Sequence, residues 1–436
     1  MKTLYVMCFY ESNARYFHHA IEQFKKNNID LIFLCMYPSA VGYCRRNNLK
    51  YINLPHKVRK QDKNGFSEKL TSKAIKECYS FHHKLLPFSH EKYTDLVKQY
   101  YNFYMDAFQK EECLGAVVIG DVRLFSSTAT LASYQCNKKI VYFEPGPFGT
   151  MIFDDSGVNK NMTISSISDE CISSHVLDKT KLSDFYEVKS VNQYYKGSIS
   201  AYIRKIPDVF LSIPPKLIKA SFPIELQTGE SFYDSIPYLF SRIKKPRQNK
   251  IANARYNGKY IFFPLQVPCD VQIVMNSPYF DSILQMVKSV AQSIPDGYKL
   301  VLREHPMNLG RYGSSFYSYI ESNDKIILDN SNNIWELVKA SELVVVNNST
   351  VGIESLKYNT EVLVLGDAFY HKAVHVFNGE GLKDKIHHSI NNPISREYKD
   401  KYLSLLYENY LIKDNYKNES YINLGLMVNK ISNFYA

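Results

Sequence analysis

None of the eight cysteines of this 436-residue sequence stands in a C-x-x-C pair. Zinc sites and thiol redox centres need that kind of spacing, so neither is expected. A chain this long has no need of a disulfide framework, and reduced thiols in the cytoplasm are the expectation. The sequence also lacks any run of about twenty apolar residues, so no membrane-spanning helix is expected. The apolar opening TLYVMCFY is cut short by Glu11 and reads as a first β-strand, not a secretory leader. Internal repeats and low-complexity tracts are missing as well. So is any basic stripe or nucleic-acid-binding motif, although the formal net charge is +10. That excess suits an anionic partner such as a nucleotide, an acidic sugar or a phospholipid surface. The short basic cluster from Arg242 to Arg247 reads as part of a solvated linker.

What the sequence does have is length and apolar content for two domains, with 45% hydrophobic residues. Strand and helix patterns alternate in the first part. Leu4 to Phe9, Asp30 to Cys35, Tyr51 to Leu54, Ala116 to Ile119 and Lys139 to Phe143 read as strands, while Ala14 to Lys26 and Ser126 to Tyr134 have helical spacing. Residues 56–112 are polar, aromatic and helical in pattern, an excursion from the sheet. Residues 151–250 show no clear strand period, and the apolar-poor stretch from Lys244 to Asn257 is taken as an interdomain linker.

A second series begins at Tyr260. Tyr260 to Phe263, Lys299 to Arg303, Lys325 to Leu328, Leu343 to Val346 and Val362 to Leu365 are strand-like. Tyr279 to Ile294 and Asn333 to Lys339 are helical, and Tyr398 to Asn409 and Leu424 to Phe434 look like closing helices. This rhythm predicts an α/β fold of two doubly wound, Rossmann-like domains facing across a cleft, the GT-B architecture. The expected division is 1–245 for an N-terminal domain with helical insertions and 246–436 for a C-terminal domain with closing helices.

In open parallel sheets, ligands bind beyond the carboxyl ends of the strands. The polar residues that follow each strand are therefore the candidates. Gly120, Asp121 and Arg123 follow one strand, and Glu144 the next. In the second series the positions are Gln266 and Asp270, then Glu304 and His305 just after the strand-ending Arg303, then Asn348, Ser349 and Thr350. The stretch LVVVNNSTVGIESLKYNTEVLVLG is the most informative, because its turn sets Ser349 and Thr350 at a helix N-terminus, where backbone N–H groups and the helix dipole favour an anion such as a phosphate. Glu354, one turn further, shares that helix face. Each residue has a plainer role open to it. Ser349, Thr350 and Asp270 can be helix caps, Glu144 can cap a turn, Glu354 can face solvent, and His305 before Pro306 can be a satisfied core histidine.

The blocks YIFFPLQVPCDVQI, LREHPMN and VVNNSTVGIESLKYNTEVLVLGDAFY, with GDVRLFSSTATLA and YFEPGPF in the first half, resemble the bacterial capsule polysaccharide synthesis family. That family includes retaining β-Kdo glycosyltransferases of capsule and O-antigen assembly. The resemblance spans about residues 115–160 and 258–370. It implies transfer of Kdo from CMP-β-Kdo, with retention, to an oligosaccharide or lipid-linked glycan, in the cytoplasm with peripheral inner-membrane contact left open. Carried over by position, His305, Asn348, Ser349 and Thr350 would hold the CMP phosphate and Glu354 the ribose. Asp270 would be the nucleophile, Glu144 the acid/base, and His305 an electrostatic catalyst. Asp121, Arg123, Gln266 and Arg303 would line the sugar side. No cofactor or metal is expected, since the CMP leaving group is already cradled and Asp154-Asp155 lacks the Asp-x-Asp spacing. Where the usual block has one Asn before Ser-Thr, this sequence has Asn347 and Asn348, a change expected to leave the turn intact. A nucleotide-sugar epimerase of the same plan and a non-catalytic export component remain alternatives.

Overall fold

The computed structural model describes residues 1–86, 88–186, 258–417 and 423–435, together with Leu226 and Tyr256. The chain divides into two compact units. Met1–Val158 and the chain from Leu411 onward form the first. Among the described residues, 159–186 and 258–410 form the second. The expected boundary at 245/246 and the basic cluster lie outside the described residues, as does the expected linker apart from Tyr256.

The first unit holds a seven-stranded sheet among the described residues. Its strands are β1 (Lys2–Cys8), β2 (Ile29–Cys35), β3 (Tyr51–Asn53), β4 (Cys113–Ile119), β5 (Lys139–Pro145) and β6 (Met151–Asp154), with β13 (Leu411–Ile412) returning from the far end of the chain. Their spatial order is β13-β6-β5-β4-β1-β2-β3. The strands from β3 to β5 are parallel, and β6 and β13 are antiparallel additions. The order reverses between β1 and β4, because the chain leaves β3 through the helices Ser72–Leu85 and His90–Phe108 before re-entering the sheet. Thr71 and Ser89 cap these helices by accepting from the amides of Ala74 and Lys92. The helical excursion expected over 56–112 is thus present.

The second unit holds β7 (Tyr260–Pro264), β8 (Lys299–Arg303), β9 (Ile326–Leu328), β10 (Leu343–Val346), β11 (Val362–Val364) and β12 (His375–Val376). The six strands are all parallel, in the order β12-β11-β10-β7-β8-β9. This is the 3-2-1-4-5-6 order of a Rossmann sheet, with its reversal between β7 and β10. The run Leu343-Val344-Val345-Val346 is buried along its whole length, as a central strand covered on both faces must be. Helix Ile283–Ser293 starts where the Ser282 hydroxyl accepts from the Gln285 amide. It buries Ile283, Met286, Val287, Val290 and Ala291, one stripe at 3.6-residue spacing, against Ile261, Phe263, Leu300 and Leu302.

Three expectations need correction. The Ala14–Lys26 helix is two, Glu11–His18 and Ile21–Lys26. A strand, β6, lies within the region expected to have none. The two closing helices part company: Arg396–Tyr410 stays with the second unit, while Leu424–Tyr435 belongs to the first. The reason is β13, which pairs Leu411 with Ile152 and Ile412 with Met151, and Tyr435, whose hydroxyl donates to the Ala116 carbonyl at 2.8 Å. Residues 159–186 join the second unit because Phe185 stacks on Tyr407 at 4.4 Å and Lys401 donates to the Ser173 carbonyl at 2.7 Å. Among the described residues, no helix is long and apolar enough to cross a membrane.

Candidate functional site

In the second unit the loops after β7, β8 and β10 are tied together at the strand reversal. Gln266 and Asn348 pair amide to amide across it. Gln266 Nε2 donates to Asn348 Oδ1 at 3.1 Å, and the Asn348 backbone N–H donates to Gln266 Oε1 at 3.4 Å. Asn348 is 6% exposed, and its Nδ2 faces the carbonyls of Gln272, Asn276 and Asp367, each at 3.1 Å. Asn347 Nδ2 also donates to the Gln272 carbonyl, at 3.1 Å. A side chain at Gly366 would bring Cβ within 2.4 Å of the Asn276 carbonyl oxygen, so this close approach of backbones requires glycine. The doubled asparagines therefore build the loop. Asn348, expected at the nucleotide, and Gln266, expected at the sugar, are engaged with one another and with the main chain.

The β8 loop is fixed from beneath. Glu304, 2% exposed, accepts from the Gly310 amide at 3.1 Å, from Asn330 Nδ2 at 2.7 Å and from the Tyr317 hydroxyl. Burial first, and then Glu304, pushes the Tyr317 phenol well above its ordinary value. His305 is extended (φ −66°, ψ 133°), as a residue before proline should be. Its backbone N–H donates to the Tyr312 hydroxyl at 3.0 Å, and that hydroxyl donates to the Gln266 carbonyl at 3.1 Å. Tyr312 thereby couples the β8 loop to the β7 loop. His305 Nδ1 accepts from the Met307 amide at 3.2 Å, so in the neutral ring the proton sits on Nε2. The half-exposed imidazole thus carries its N–H on the nitrogen away from its own backbone.

Ser349 follows Asn348 directly and caps the helix Thr350–Ser355, its hydroxyl accepting from the Val351 amide at 3.3 Å. Ser349 and Thr350 are both half-buried. The Ser349 carbonyl accepts from the Tyr370 hydroxyl at 2.5 Å. Glu354 does not face solvent: it is 8% exposed. Burial and the Glu354 charge together raise the phenols of Tyr358 and Tyr370. Asp270 is exposed and caps the short helix Val271–Val274, Oδ1 accepting from the Gln272 amide at 2.8 Å. Its turn joins the Asn347/Asn348 network through Gln272. Arg303 points elsewhere. Its guanidinium donates to the Asn332 carbonyl beside Asp329, whose carboxylate caps the turn at Ser331 and Asn332, so Arg303 braces the β9 loop.

The first unit has its own cluster at the β1/β4 reversal. Glu144 lies within β5, opposite Ile152 of β6. Gly120 has φ +65°, and a Cβ there would meet Glu144 Oε1 at 3.0 Å, so the missing side chain makes room for the carboxylate. Asp121 accepts from the Ser127 hydroxyl through its carbonyl at 3.3 Å. The Arg123 guanidinium lies 5.4 Å from the ring centres of both Phe9 and Phe81, a double cation–π contact. Phe81 comes from the helix Ser72–Leu85, so the helical excursion helps to build this edge. Beside it His82 is fully buried, and burial, then Arg123, lowers its pKa to about 3, which keeps the ring neutral. After β13 the chain returns Tyr416 to Phe143, with ring centres 6.3 Å apart. Burial first, then Glu144, raises the Tyr416 phenol.

The structure thus gathers Gln266, Asp270, His305, Asn348, Ser349, Thr350 and Glu354 on connected loops of the second unit. In the first unit it places Asp121, Arg123 and Glu144 near the β1/β4 reversal, and in the second it turns Arg303 aside. Sequence reasoning missed Tyr312, Phe81 and Tyr416. The first could have been found as a hydroxyl placed a short loop after His-Pro; the other two arrive from distant sequence. Among the described residues, no group of three or more His, Cys, Asp or Glu side chains is arranged to hold a metal ion.

These features define an α/β protein of two units, each built on a sheet with one strand reversal, all-parallel in the second unit and mostly parallel in the first. The chain belongs to the capsule polysaccharide biosynthesis protein family, whose model matches residues 117–418. It is 32% identical over 114 residues to protein FixF of Sinorhizobium fredii. That match takes in 26% of this chain and only 27% of FixF. Among solved structures it is similar to the β-Kdo 2,7 transferase KpsC of Thermosulfurimonas dismutans (16% identity, 84% of this chain and 98% of that one, TM-score 0.39). It is similar also to the β-Kdo 2,4 transferase KpsC of the same organism (12% identity, 75% and 88%, TM-score 0.41). A putative UDP-N-acetylglucosamine 2-epimerase of Listeria monocytogenes is a further likeness (12% identity, 92% and 90%, TM-score 0.32). The strand order, not these likenesses, defines the architecture.

Proposed function

We propose that this protein is a glycosyltransferase of capsule or O-antigen synthesis that moves Kdo from CMP-β-Kdo to a glycan or glycolipid acceptor with retention of configuration. The observation that carries the reading is the interlocked loop set at the β7/β10 reversal. Tyr312, Gln266 and Asn348 fix the His305 and Ser349 loops relative to each other, and preorganised donors of this kind stabilise a departing anion without reorganising. His305 Nε2, the Ser349 and Thr350 hydroxyls and the adjoining amides would hold the CMP phosphate, with Glu354 at the ribose. Family membership supports the pathway, and the +10 charge suits an anionic donor.

In this mechanism CMP leaves a tertiary anomeric carbon through an oxocarbenium-like transition state. Asp270, oriented by the Gln272 amide, attacks that carbon as the C–O bond to phosphate breaks. A covalent glycosyl carboxylate forms, by the logic of retaining glycosidases. Glu144 then takes the proton of the acceptor hydroxyl as its oxygen displaces Asp270. Two inversions give retention. Asp121 and Arg123 would bind the sugar substrates on the first unit, while Gln266 and Arg303 act by holding loops.

The test is incubation with CMP-Kdo and, separately, with UDP-N-acetylglucosamine, following nucleotide release and sugar configuration. Release of CMP that depends on Asp270 supports the transferase. Epimerised UDP-sugar with CMP-Kdo untouched would replace it with the epimerase reading. Binding of neither nucleotide would point to an export component.

A further inference from the structure

The helical hairpin of the first unit carries a second arrangement that the proposed transfer does not use. His83 lies in the last turn of the helix Ser72–Leu85, and His90 opens the helix His90–Phe108. Their Nε2 atoms are 3.1 Å apart, with ring centres 4.3 Å apart and planes at 80°. The short centre-to-centre distance means that the rings meet edge to face and not end to end, so a hydrogen bond between the two nitrogens is bent and weak. On the other side of His90, Nδ1 is 2.8 Å from the Tyr79 hydroxyl. Tyr79 itself stacks on Tyr93 at 5.2 Å, which holds its hydroxyl in place. His83 is half-buried and His90 exposed, so solvent and solutes reach the pair.

We propose that His83 and His90 form a two-imidazole site for a late first-row divalent cation, of the Zn²⁺, Ni²⁺ or Cu²⁺ class. With metal–nitrogen bonds of about 2.0–2.1 Å, two imidazole nitrogens on one ion stand about 2.9–3.4 Å apart between square and tetrahedral angles. The observed separation falls within that span before any ion arrives. The Tyr79 hydroxyl supplies the outer contact that ligating histidines need: by accepting Nδ1–H it leaves the lone pair of His90 on Nε2. The His83 proton moves to its own Nδ1 when its Nε2 binds the ion, so both rings ligate as neutral groups. Water completes the coordination. Imidazole ligands select this class of ion over Mg²⁺ and Ca²⁺, which prefer oxygen. The consequence is a clip between the two helices that build one wall of the Arg123 edge, because Phe81 lies two residues before His83.

The test is titration of the full chain with zinc chloride by calorimetry, with magnesium chloride as control. Variants His83→Ala, His90→Ala and Tyr79→Phe are compared, and circular dichroism checks that each is folded. Continuous-wave electron paramagnetic resonance of the Cu²⁺ form counts the bound nitrogens. The expected result is one saturable Zn²⁺ per chain, two imidazole nitrogens on Cu²⁺, and affinity lower by at least about tenfold in each of the three variants. Hydrogen exchange across residues 72–108 should slow when Zn²⁺ is present. Absence of saturable Zn²⁺ binding, or binding of equal strength in wild type and in both histidine variants, would overturn the proposal. None of these readouts depends on the transfer reaction.

Discussion

Asn348 offers the sharpest check on how the second unit is held together. Replacing it with Ala removes one amide that faces three carbonyls and accepts from Gln266. Not all of those groups are stranded. The Gln272 carbonyl keeps Asn347 Nδ2, and the Asn276 carbonyl keeps the Asp367 amide at 3.0 Å. The Asp367 carbonyl and Gln266 Nε2 lose the partner that Asn348 gave them. Two polar groups left unsatisfied at about 1–3 kcal/mol each give an expected loss of roughly 2–6 kcal/mol. Asn348→Asp keeps the shape but sets a carboxylate oxygen against carbonyl oxygens, so it should cost more than Asn348→Ala, although Asp is the closer isostere. Urea unfolding followed by fluorescence of Trp335, the single tryptophan and a residue of the second unit, reads this directly. A loss below about 1 kcal/mol for Ala, against the range expected for buried hydrogen bonds, would refute the network. So would an Asp variant more stable than the Ala variant.

Tyr312→Phe removes the hydroxyl that joins His305 N to the Gln266 carbonyl. It should weaken CMP binding by about tenfold, measured by calorimetry, while the Trp335 unfolding midpoint falls less than in Asn348→Ala, because water reaches the half-buried His305 and Gln266. Gly120→Ala puts a Cβ 3.0 Å from Glu144 Oε1 at φ +65°; transfer should fall sharply in a coupled CMP-release assay while CMP affinity is kept. In the second unit Lys399, fully buried, and His375 both contact the Glu361 carboxylate. Lys399→Met should destabilise by about 3–5 kcal/mol in urea, because it strands a buried charge. Burial alone would raise the Glu361 pKa, but hydrogen bonds from His375 and Lys399 outweigh it and hold it below the usual value. Its contribution to stability is therefore present above the unfolded carboxylate value of about 4.3 and is lost as pH falls through the folded one. The gap in unfolding midpoint between wild type and Glu361→Gln should close in that acid range, and a gap independent of pH would contradict the assignment.

Much of the fold can be read from the sequence because parallel strands buried on both faces, such as Leu343–Val346, are uninterrupted apolar runs. Five of the six strands of the Rossmann sheet follow from that rhythm. The strands that escaped are short or polar-flanked: β12 and β13 have two residues each, and pairing at a sheet edge leaves no periodic trace. The break at His19-Ala20 carries no Gly or Pro to announce it. At the site, position after a strand identified the right loops but not the direction of each side chain. Asn348 and Arg303 turn toward backbone carbonyls, and Gln266 toward the Asn348 amide, partners that only the folded chain brings near. Glu354 is buried because Tyr370, sixteen residues on, closes over its helix. The two-unit division is not a single cut, because a two-residue strand carries the C-terminus back to the first sheet.

The identity of the nucleophile is tested most directly by peptide mass mapping after brief incubation with CMP-Kdo, without acceptor. A Kdo adduct on the peptide that contains Asp270, absent in Asp270→Ala while that variant still binds CMP, is the predicted result. CMP turnover undiminished in Asp270→Ala, or an adduct on another residue, would contradict it.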